Sequence, residues 1–169
     1  MIMPNALTIQ LRIYTISLLL SILLGCSTAP EFKTTEVDRT LTPQSVIAEP
    51  NTSQGKVALW GGTILETHNL ANSTQLEILA YPLDSSHRPI LDNKPLGRFI
   101  ILHTGYLEPT TYSQGELISV LGSISESQKG KIGETLYTYP VIKAQQLHLW
   151  SASDGRSNTR FHFGIGIRL

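Results

Sequence analysis

The chain has 169 residues, with 13 Lys+Arg against 13 Asp+Glu and a single Cys, so it is long enough for one domain of ordinary size. One Cys excludes a disulfide within the chain. Because the formal net charge is zero and the sequence pI is about 7.0, the composition favours neither nucleic acid nor an anionic surface as an electrostatic partner. We therefore expect no nucleic-acid partner.

Residues 1–25 have the layout of a signal peptide. Arg12 precedes an apolar run that extends from Ile13 to Leu24. The run has about a dozen residues, whereas a membrane-spanning helix needs about 20, so we expect cleavage and not a permanent transmembrane helix. The junction Leu23-Leu24-Gly25-Cys26 resembles the lipobox of bacterial lipoproteins, in which Leu and Gly stand three and one residues before the Cys.

Cys26 is accordingly the predicted lipidation site. A thiolate is a strong nucleophile that can take a diacylglyceryl group as a thioether. Each buried methylene contributes about 0.8 kcal/mol, so two or three acyl chains would hold the protein stably at a membrane. Ser27 follows the Cys instead of Asp, which in lipoproteins implies export to the outer membrane by the processing and sorting machinery. The alternative is an unmodified Cys at the end of an uncleaved apolar helix.

Residues 26–54 are rich in Thr, Pro, Ser and Glu, a composition that buries little apolar surface. We expect a flexible tether with a root-mean-square reach of about 30 Å. The exception is residues 41–47, where Pro43 and the pair Val46-Ile47 indicate a short helix against the domain.

Residues 55–150 consist of short β segments separated by turn residues, and no long helical stripe occurs among them. Residues 128–133 are expected to form a hairpin loop before the last strand, which Pro140 interrupts. The predicted strands cover residues 56–66, 74–81, 97–103, 116–124 and 136–150.

The glycines inside these strands indicate bends. Gly61-Gly62 lies within the first strand and Gly122 within the fourth, and internal glycines mark bulges or barrel corners. Five bent strands predict an all-β fold, a small five-stranded OB-like Greek-key barrel. An irregular β-sandwich is the alternative.

The domain also resembles a known family. The residues that carry the resemblance occur in the family's order, and they are Val57 through Ile64, Leu76-Glu77-Ile78, Tyr81 through Asp84, Gly97-Arg98-Phe99, Gly105 through Pro109, Tyr112, Gly115, Val120-Leu121-Gly122 and Pro140 through Trp150. This pattern is similar to the Slp family of outer-membrane lipoproteins from Gram-negative bacteria, named for induction under carbon starvation. Glu108 stands where the family often has Asp. The resemblance implies a lipoprotein linked to starvation or envelope stress, with no established enzymatic activity.

No catalytic or metal-binding motif is found in the sequence. The His residues at 68, 87, 103, 148 and 162 are never three to five residues apart, which excludes the usual spacing of paired metal ligands. Gly130-Lys131-Ile132 lacks the Ser or Thr of a phosphate loop, and Gly122-Ser123-Ile124-Ser125 lacks the hydrolase elbow pattern. We assign no catalytic residue, no metal and no cofactor.

Five loop residues are candidate ligand or partner contacts, because aromatic rings and carboxylates near the mouth of a barrel can stack on and hydrogen-bond a sugar. The alternative is that Pro and the carboxylates serve only to form turns. The five are Tyr81, Asp84, Tyr106, Glu108 and Tyr112.

Residues 151–169 form a tail that is polar at first and then alternates apolar residues with His, Gly and Arg from Phe161 to Leu169. A period of two predicts a C-terminal strand with one apolar face. It would pair with the barrel's edge, press on lipid, or dock on another envelope protein by strand addition. The alternative is a frayed terminus.

Together these observations predict an outer-membrane lipoprotein, held by acyl chains on Cys26, that faces the periplasm and acts as a non-enzymatic structural or interaction protein. The alternative is a periplasmic small-ligand or glycan-binding module. A hydrolase of envelope material is a third reading with no motif behind it.

Overall fold

Seven strands provide most of the regular structure in residues 31–151, the part of the chain that the computed structural model describes. The predicted signal peptide, Cys26 and residues 152–169 lie outside this part. The strands are β1 (Val57–Asn69), β2 (Ser73–Ala80), β3 (Arg98–Thr104), β4 (Leu117–Ile124), β5 (Gln128–Ile132), β6 (Thr135–Tyr139) and β7 (Val141–Trp150).

Five of the strands close into a barrel in the order β1-β2-β3-β7-β4, with β4 pairing back to β1. All neighbours are antiparallel except β3 and β7, which pair in parallel. A first strand that pairs with both the second and the fourth, and a parallel contact between the third and the last, make the OB-like Greek-key order. The predicted all-β, OB-like fold is confirmed.

Strand β1 bends at its glycines so that its two halves reach different neighbours. Residues 57–63 pair with β4, and residues 62–69 pair with β2. A Cβ on Gly62 would overlap the carbonyl oxygen of Leu79, and one on Gly61 would lie 2.7 Å from the carbonyl oxygen of Ile118. Only glycine therefore allows the three strands to approach this closely.

The inward faces of the strands form one apolar core. Along β2 the buried residues alternate with partly exposed ones, as expected of a strand with one face inside. The Trp60 and Phe99 rings meet edge to face with centroids 5.1 Å apart, a favoured aromatic geometry. Fully buried core side chains include Ile64, Leu76, Ile78, Phe99, Ile101, Ile118, Val120 and Ile142.

Residues 128–139 differ from the prediction of a loop followed by one long strand. They form a separate hairpin in which β5 and β6 pair antiparallel around Gly133 and Glu134. The hairpin packs on the outer side of β3, where Tyr139 joins Ile100 and Val141 in a second, smaller apolar cluster. Pro140 ends β6 and separates it from β7.

The segment before the barrel also differs from the predicted flexible tether, because it packs on the barrel from Phe32 onward. It holds helix α1 (Pro43–Ala48), where the sequence predicts a short helix, and helix α2 (Pro50–Ser53). Thr42 caps α1 in a reciprocal capping box with Ser45. Val46 is 1% exposed and belongs to the barrel core. Apolar burial thus fixes a segment whose composition indicates flexibility.

In the described range, the helices are too short and too polar to cross a bilayer.

Candidate functional site

A cleft of about 460 Å³ lies between the packed N-terminal segment and one end of the barrel. Its walls come from the N-terminal segment, from the bend of β1 and from the loop between β2 and β3. This volume is within the range of small-molecule sites. We refer to it as the cleft, and its principal lining residues are Arg39, Leu41, Trp60, Tyr81, Leu83 and His87.

The N-terminal wall of the cleft is held by backbone and indole hydrogen bonds. The indole Nε1 of Trp60 donates to the carbonyl oxygen of Leu41 at 2.9 Å, and the backbone N–H of Asp38 donates to the carbonyl oxygen of Val57 at 2.9 Å. Val37 and Val57 form a parallel bridge beside them. The cleft exists because residues 37–41 are fastened to β1.

The opposite wall is the loop between β2 and β3, which Asp84 organises. Its Oδ1 accepts the backbone N–H groups of Ser86 at 2.8 Å and Arg88 at 2.9 Å. These bonds satisfy the turn, as carboxylates commonly do in loops. Asp84 itself is exposed at the rim. These contacts of Asp84 agree with the alternative interpretation of the sequence, in which the carboxylate serves to form the turn.

His87 follows in the same loop with a φ of 68°, an uncommon conformation for a residue with a side chain. The hydroxyl of Ser119 donates to its carbonyl oxygen at 2.6 Å and fixes the loop to the outer face of β4. The ring of Phe32 lies 5.7 Å from the imidazole. His87 therefore joins the loop, the barrel and the N-terminal segment.

The cleft carries charges of both signs. Burial, together with the positive charge of Arg39, lowers the pKa of the His87 imidazole, and Asp84 partly opposes this. The Asp38 carboxylate accepts the Thr40 hydroxyl at 2.6 Å, which is the main reason that its pKa is lowered. Lys56 lies 3.5 Å from the same carboxylate. Arg39 is the exposed cation at the rim.

The five predicted contact residues do not form one site. Tyr81 and Asp84 line the cleft at the end of β2. The loop that contains Tyr106, Glu108 and Tyr112 follows β3, whose end pairs with the start of β2. Since β2 has eight residues, Tyr81 and Tyr106 lie at opposite ends of this strand, about 25 Å apart.

At that far end the three residues have different surroundings. Tyr106 is 66% exposed, and its hydroxyl donates to Glu108 Oε2 at 3.0 Å, an interaction that raises the pKa of the phenol. Tyr112 packs against the barrel core, and its carbonyl oxygen accepts the Thr67 hydroxyl at 2.6 Å. Tyr112 therefore supports the fold, whereas Tyr106 and Glu108 form an exposed pair.

Arg39, Trp60 and His87 line the cleft but are absent from the residues that the sequence indicates as contacts. The sequence around each of these residues gives no sign that they lie together. The segment that contains Arg39 has the composition of a flexible tether. Within residues 31–151, no three His, Cys, Asp or Glu side chains are grouped as metal ligands. The closest imidazole–carboxylate pair there, His68 with Glu66 at 3.0 Å, is exposed on β1.

Comparison with known proteins identifies the family. The model of the Outer membrane lipoprotein Slp family matches residues 23–164. The chain belongs to the Slp family. Membership confirms the resemblance found in the sequence and the predicted outer-membrane localisation, and it indicates membrane association. The Slp family is not a known family of enzymes.

Three relatives illustrate this similarity. An uncharacterized protein of Haemophilus influenzae is 35% identical over 116 residues, which are 68% of this chain and 60% of that protein. The uncharacterized lipoprotein YeaY of Escherichia coli is 34% identical over 140 residues, covering 80% of this chain and 69% of YeaY. The outer membrane protein Slp of E. coli is 29% identical over 102 residues, covering 60% and 54%. The chain thus spans only part of the length of these relatives.

Among solved structures, a small single-stranded DNA-binding protein from Streptomyces coelicolor aligns with a TM-score of 0.38 and 14% identity. The alignment covers 59% of this chain and 97% of that protein.

Proposed function

We propose that this Slp-family chain is a non-enzymatic lipoprotein, anchored in the outer membrane by acyl chains on Cys26, whose barrel works by contact at the membrane surface. The lipobox at Cys26 supports the anchor, and the packing of Phe32 supports the position of the barrel close to the membrane. Phe32 is 8% exposed and its ring contacts His87. Cys26 precedes Phe32 by six residues, so the thioether would lie at most about 21 Å from the barrel surface.

This short connection sets where the domain works. The backbone N–H of Lys33 donates to the side-chain oxygen of Gln146 on β7 at 3.1 Å, so the connection to the barrel begins by residue 33. A domain held this closely meets molecules at the inner surface of the outer membrane, and we propose that it faces the periplasm. Two or three acyl chains would make the attachment stable.

Metabolic labelling with palmitate tests the anchor. Wild-type protein is expected to take up the label and to sediment with the outer membrane, and Cys26→Ser protein is expected to lose both properties. Ser27→Ala is the matched control and is expected to keep them. Label-free wild-type protein, or Cys26→Ser protein that stays in the outer membrane, would refute the anchor. Protease added to intact cells tests the orientation, since a periplasmic domain is protected.

We further propose a role in starvation or envelope stress, supported by the family to which the chain belongs. A deletion strain is expected to lose viability under carbon starvation or detergent stress. Plasmid-borne wild-type protein should restore survival, and Cys26→Ser protein should not. Restoration by the unanchored protein would separate the stress role from the membrane. Unchanged survival of the deletion strain would contradict the role.

A second candidate function is binding of a small ligand or glycan fragment, which the cleft favours through its volume and its aromatic and charged lining. Muropeptides and lipopolysaccharide core sugars are the probes. Tyr81→Ala, at the cleft, is expected to weaken binding by about fivefold or more, because truncation of an anchoring aromatic costs more than about 1 kcal/mol. Tyr106→Ala, at the opposite end, is the matched control. Equal binding by both variants and wild type would exclude the cleft.

A further inference from the structure

One edge of β7 is only partly paired. β3 meets β7 through the three pairs that join Ile100, Ile101 and Leu102 to Val141, Ile142 and Lys143. The other edge of β7 is paired with β4 along its length. Across residues 31–151, no backbone partner is found for the β3-facing edge of residues 144–150. We call the gap beside residues 144–150 the seam.

Apolar side chains under the seam are incompletely covered. Ala144, Leu147 and Leu149 share the inner face of β7 with the core, yet all three are only partly buried. Val120 and Ile118, the β4 partners of Leu147 and Leu149, are fully buried. Ile142, which lies where β3 is still paired, is also fully buried. The inward side chains of β7 are therefore only partly buried in the part of the strand where β3 no longer pairs with it.

A buried polar atom lies on the β3 side of the same region. Nδ1 of His103 is inaccessible to solvent and has no hydrogen-bond partner within the described range. His103 follows Leu102, the last residue of β3 that pairs with β7. Buried polar groups are normally satisfied, so His103 Nδ1 is a site where a further hydrogen-bond partner fits.

The chain itself contains a segment that matches the seam. Residues 151–160 directly follow β7 and are polar, with the Gly155 that a reversing loop favours. From Phe161 to Leu169, every second residue is a large apolar one. The family model extends through residue 164, so the start of this segment belongs to the region shared by the family.

We propose that residues 161–169 form an additional strand that pairs antiparallel with residues 144–150 of β7 and closes the seam. A seven-residue edge is about 23 Å long and a nine-residue strand about 30 Å, so the lengths are compatible. The apolar face, Phe161 to Leu169 in alternation, covers Leu147 and Leu149. His162, Gly164, Gly166 and Arg168 then share the outer face with Gln146 and His148.

Cysteine pairs in the full chain test both the pairing and its direction. His148→Cys and Gln146→Cys are each combined in turn with Cys at 162, 164, 166 and 168, and disulfides are detected by electrophoretic mobility with and without reductant. Disulfides require Cβ atoms about 4 Å apart. The best partner of Gln146→Cys is expected two residues further along the chain than that of His148→Cys. Repeating the series with Cys26→Ser removes cross-links to residue 26 and makes the test independent of lipidation.

Three outcomes would overturn the proposal. They are no disulfide in any pair, disulfides as frequent with an exposed Glu126→Cys control, which follows the end of β4 that pairs with Ile142, or disulfides only between chains, which would assign the segment to a second copy. Ile165→Asp is expected to lower the disulfide yield at least about tenfold, because it places a charge against the core. Ser153→Asp, in the polar linker, is expected to leave the yield unchanged. Tryptophan fluorescence shows in each case whether the barrel has folded.

Discussion

Trp60 donates its indole N–H to the carbonyl oxygen of Leu41 at 2.9 Å. The ring of Trp60 is buried in the barrel core, whereas Leu41 belongs to the segment that precedes the barrel. A single side chain therefore joins the two parts of the fold and supports the N-terminal wall of the cleft. The segment is also held by the Asp38–Val57 backbone hydrogen bond and by the burial of Val46 and Phe32.

Replacing Trp60 by Phe is expected to release the N-terminal segment before the barrel unfolds. Loss of the donor leaves the Leu41 carbonyl unsatisfied, at a cost of about 1–3 kcal/mol. Trypsin cleavage after the exposed Arg39 should become faster in native buffer. Trp150→Phe is the matched control, because its indole bonds Ser119 instead. Equal acceleration in both variants would show that the Trp60 bond does not hold the segment.

Ser119→Ala is expected to lower the free energy of unfolding by at least about 2 kcal/mol, measured by urea denaturation. Ser119 is fully buried, and its hydroxyl accepts the Trp150 indole at 2.9 Å while it donates to the His87 carbonyl oxygen at 2.6 Å. The substitution leaves two polar groups without a partner. Ser125→Ala, on a less buried serine, should change stability much less. A loss in Ser119→Ala no larger than in that control would contradict this reading.

Acidification is expected to weaken the loop that contains His87. The pKa of the folded imidazole lies below its ordinary value of 6.5, chiefly because of burial. The unfolded chain therefore binds more protons in the window between the two values. The contribution of His87 to the free energy of unfolding is fully present above pH 6.5, and it is lost as the pH falls toward the pKa of the folded state.

Urea midpoints measured between about pH 5 and 7.5 test this titration. His87→Asn should flatten the profile, and Asn is chosen because it tolerates the φ of 68°. His68→Asn, on an exposed strand position, is the control and should keep the wild-type slope. An unchanged slope in His87→Asn would assign the pH dependence to another group.

Gly62→Ala is expected to destabilise the barrel by about 3 kcal/mol or to prevent its folding. The added Cβ would overlap the carbonyl oxygen of Leu79 on β2, and backbone in a closed sheet cannot easily retreat. Gly133→Ala is the control, since no atom lies within 4 Å of its Cβ position. Gly133→Ala is expected to lower the free energy of unfolding by only about 1–2 kcal/mol, which is the strain of an alanine at the positive φ of 57°. Thermal melting followed by circular dichroism distinguishes the two.

Local patterns in the sequence were sufficient to predict the barrel strands. The alternation of β2 and the apolar run of β3 indicate burial directly, and Gly61-Gly62 marks the bend of β1. The sequence does not predict the β5–β6 hairpin, because β5 is polar and largely exposed, with no alternation to identify it. Its two strands depend on each other and on contacts with β3.

The candidate site was harder to predict, because it depends on contacts distant in the sequence. Residues 31–54 resemble a tether in composition, and their packing follows from a few apolar residues, Phe32 and Val46 above all. Tyr81 and Tyr106 were grouped because both adjoin turns. Only the antiparallel order of β2 and β3 reveals that they lie at opposite ends.

The β5–β6 hairpin has a practical consequence. It attaches through Tyr137 and Tyr139 on the side of β3, while Gly133 and Glu134 at its tip are exposed. A short epitope or a split-reporter fragment inserted between those two residues would lie outside the closed sheet. The tip is therefore a suitable attachment point for imaging the protein in living bacteria.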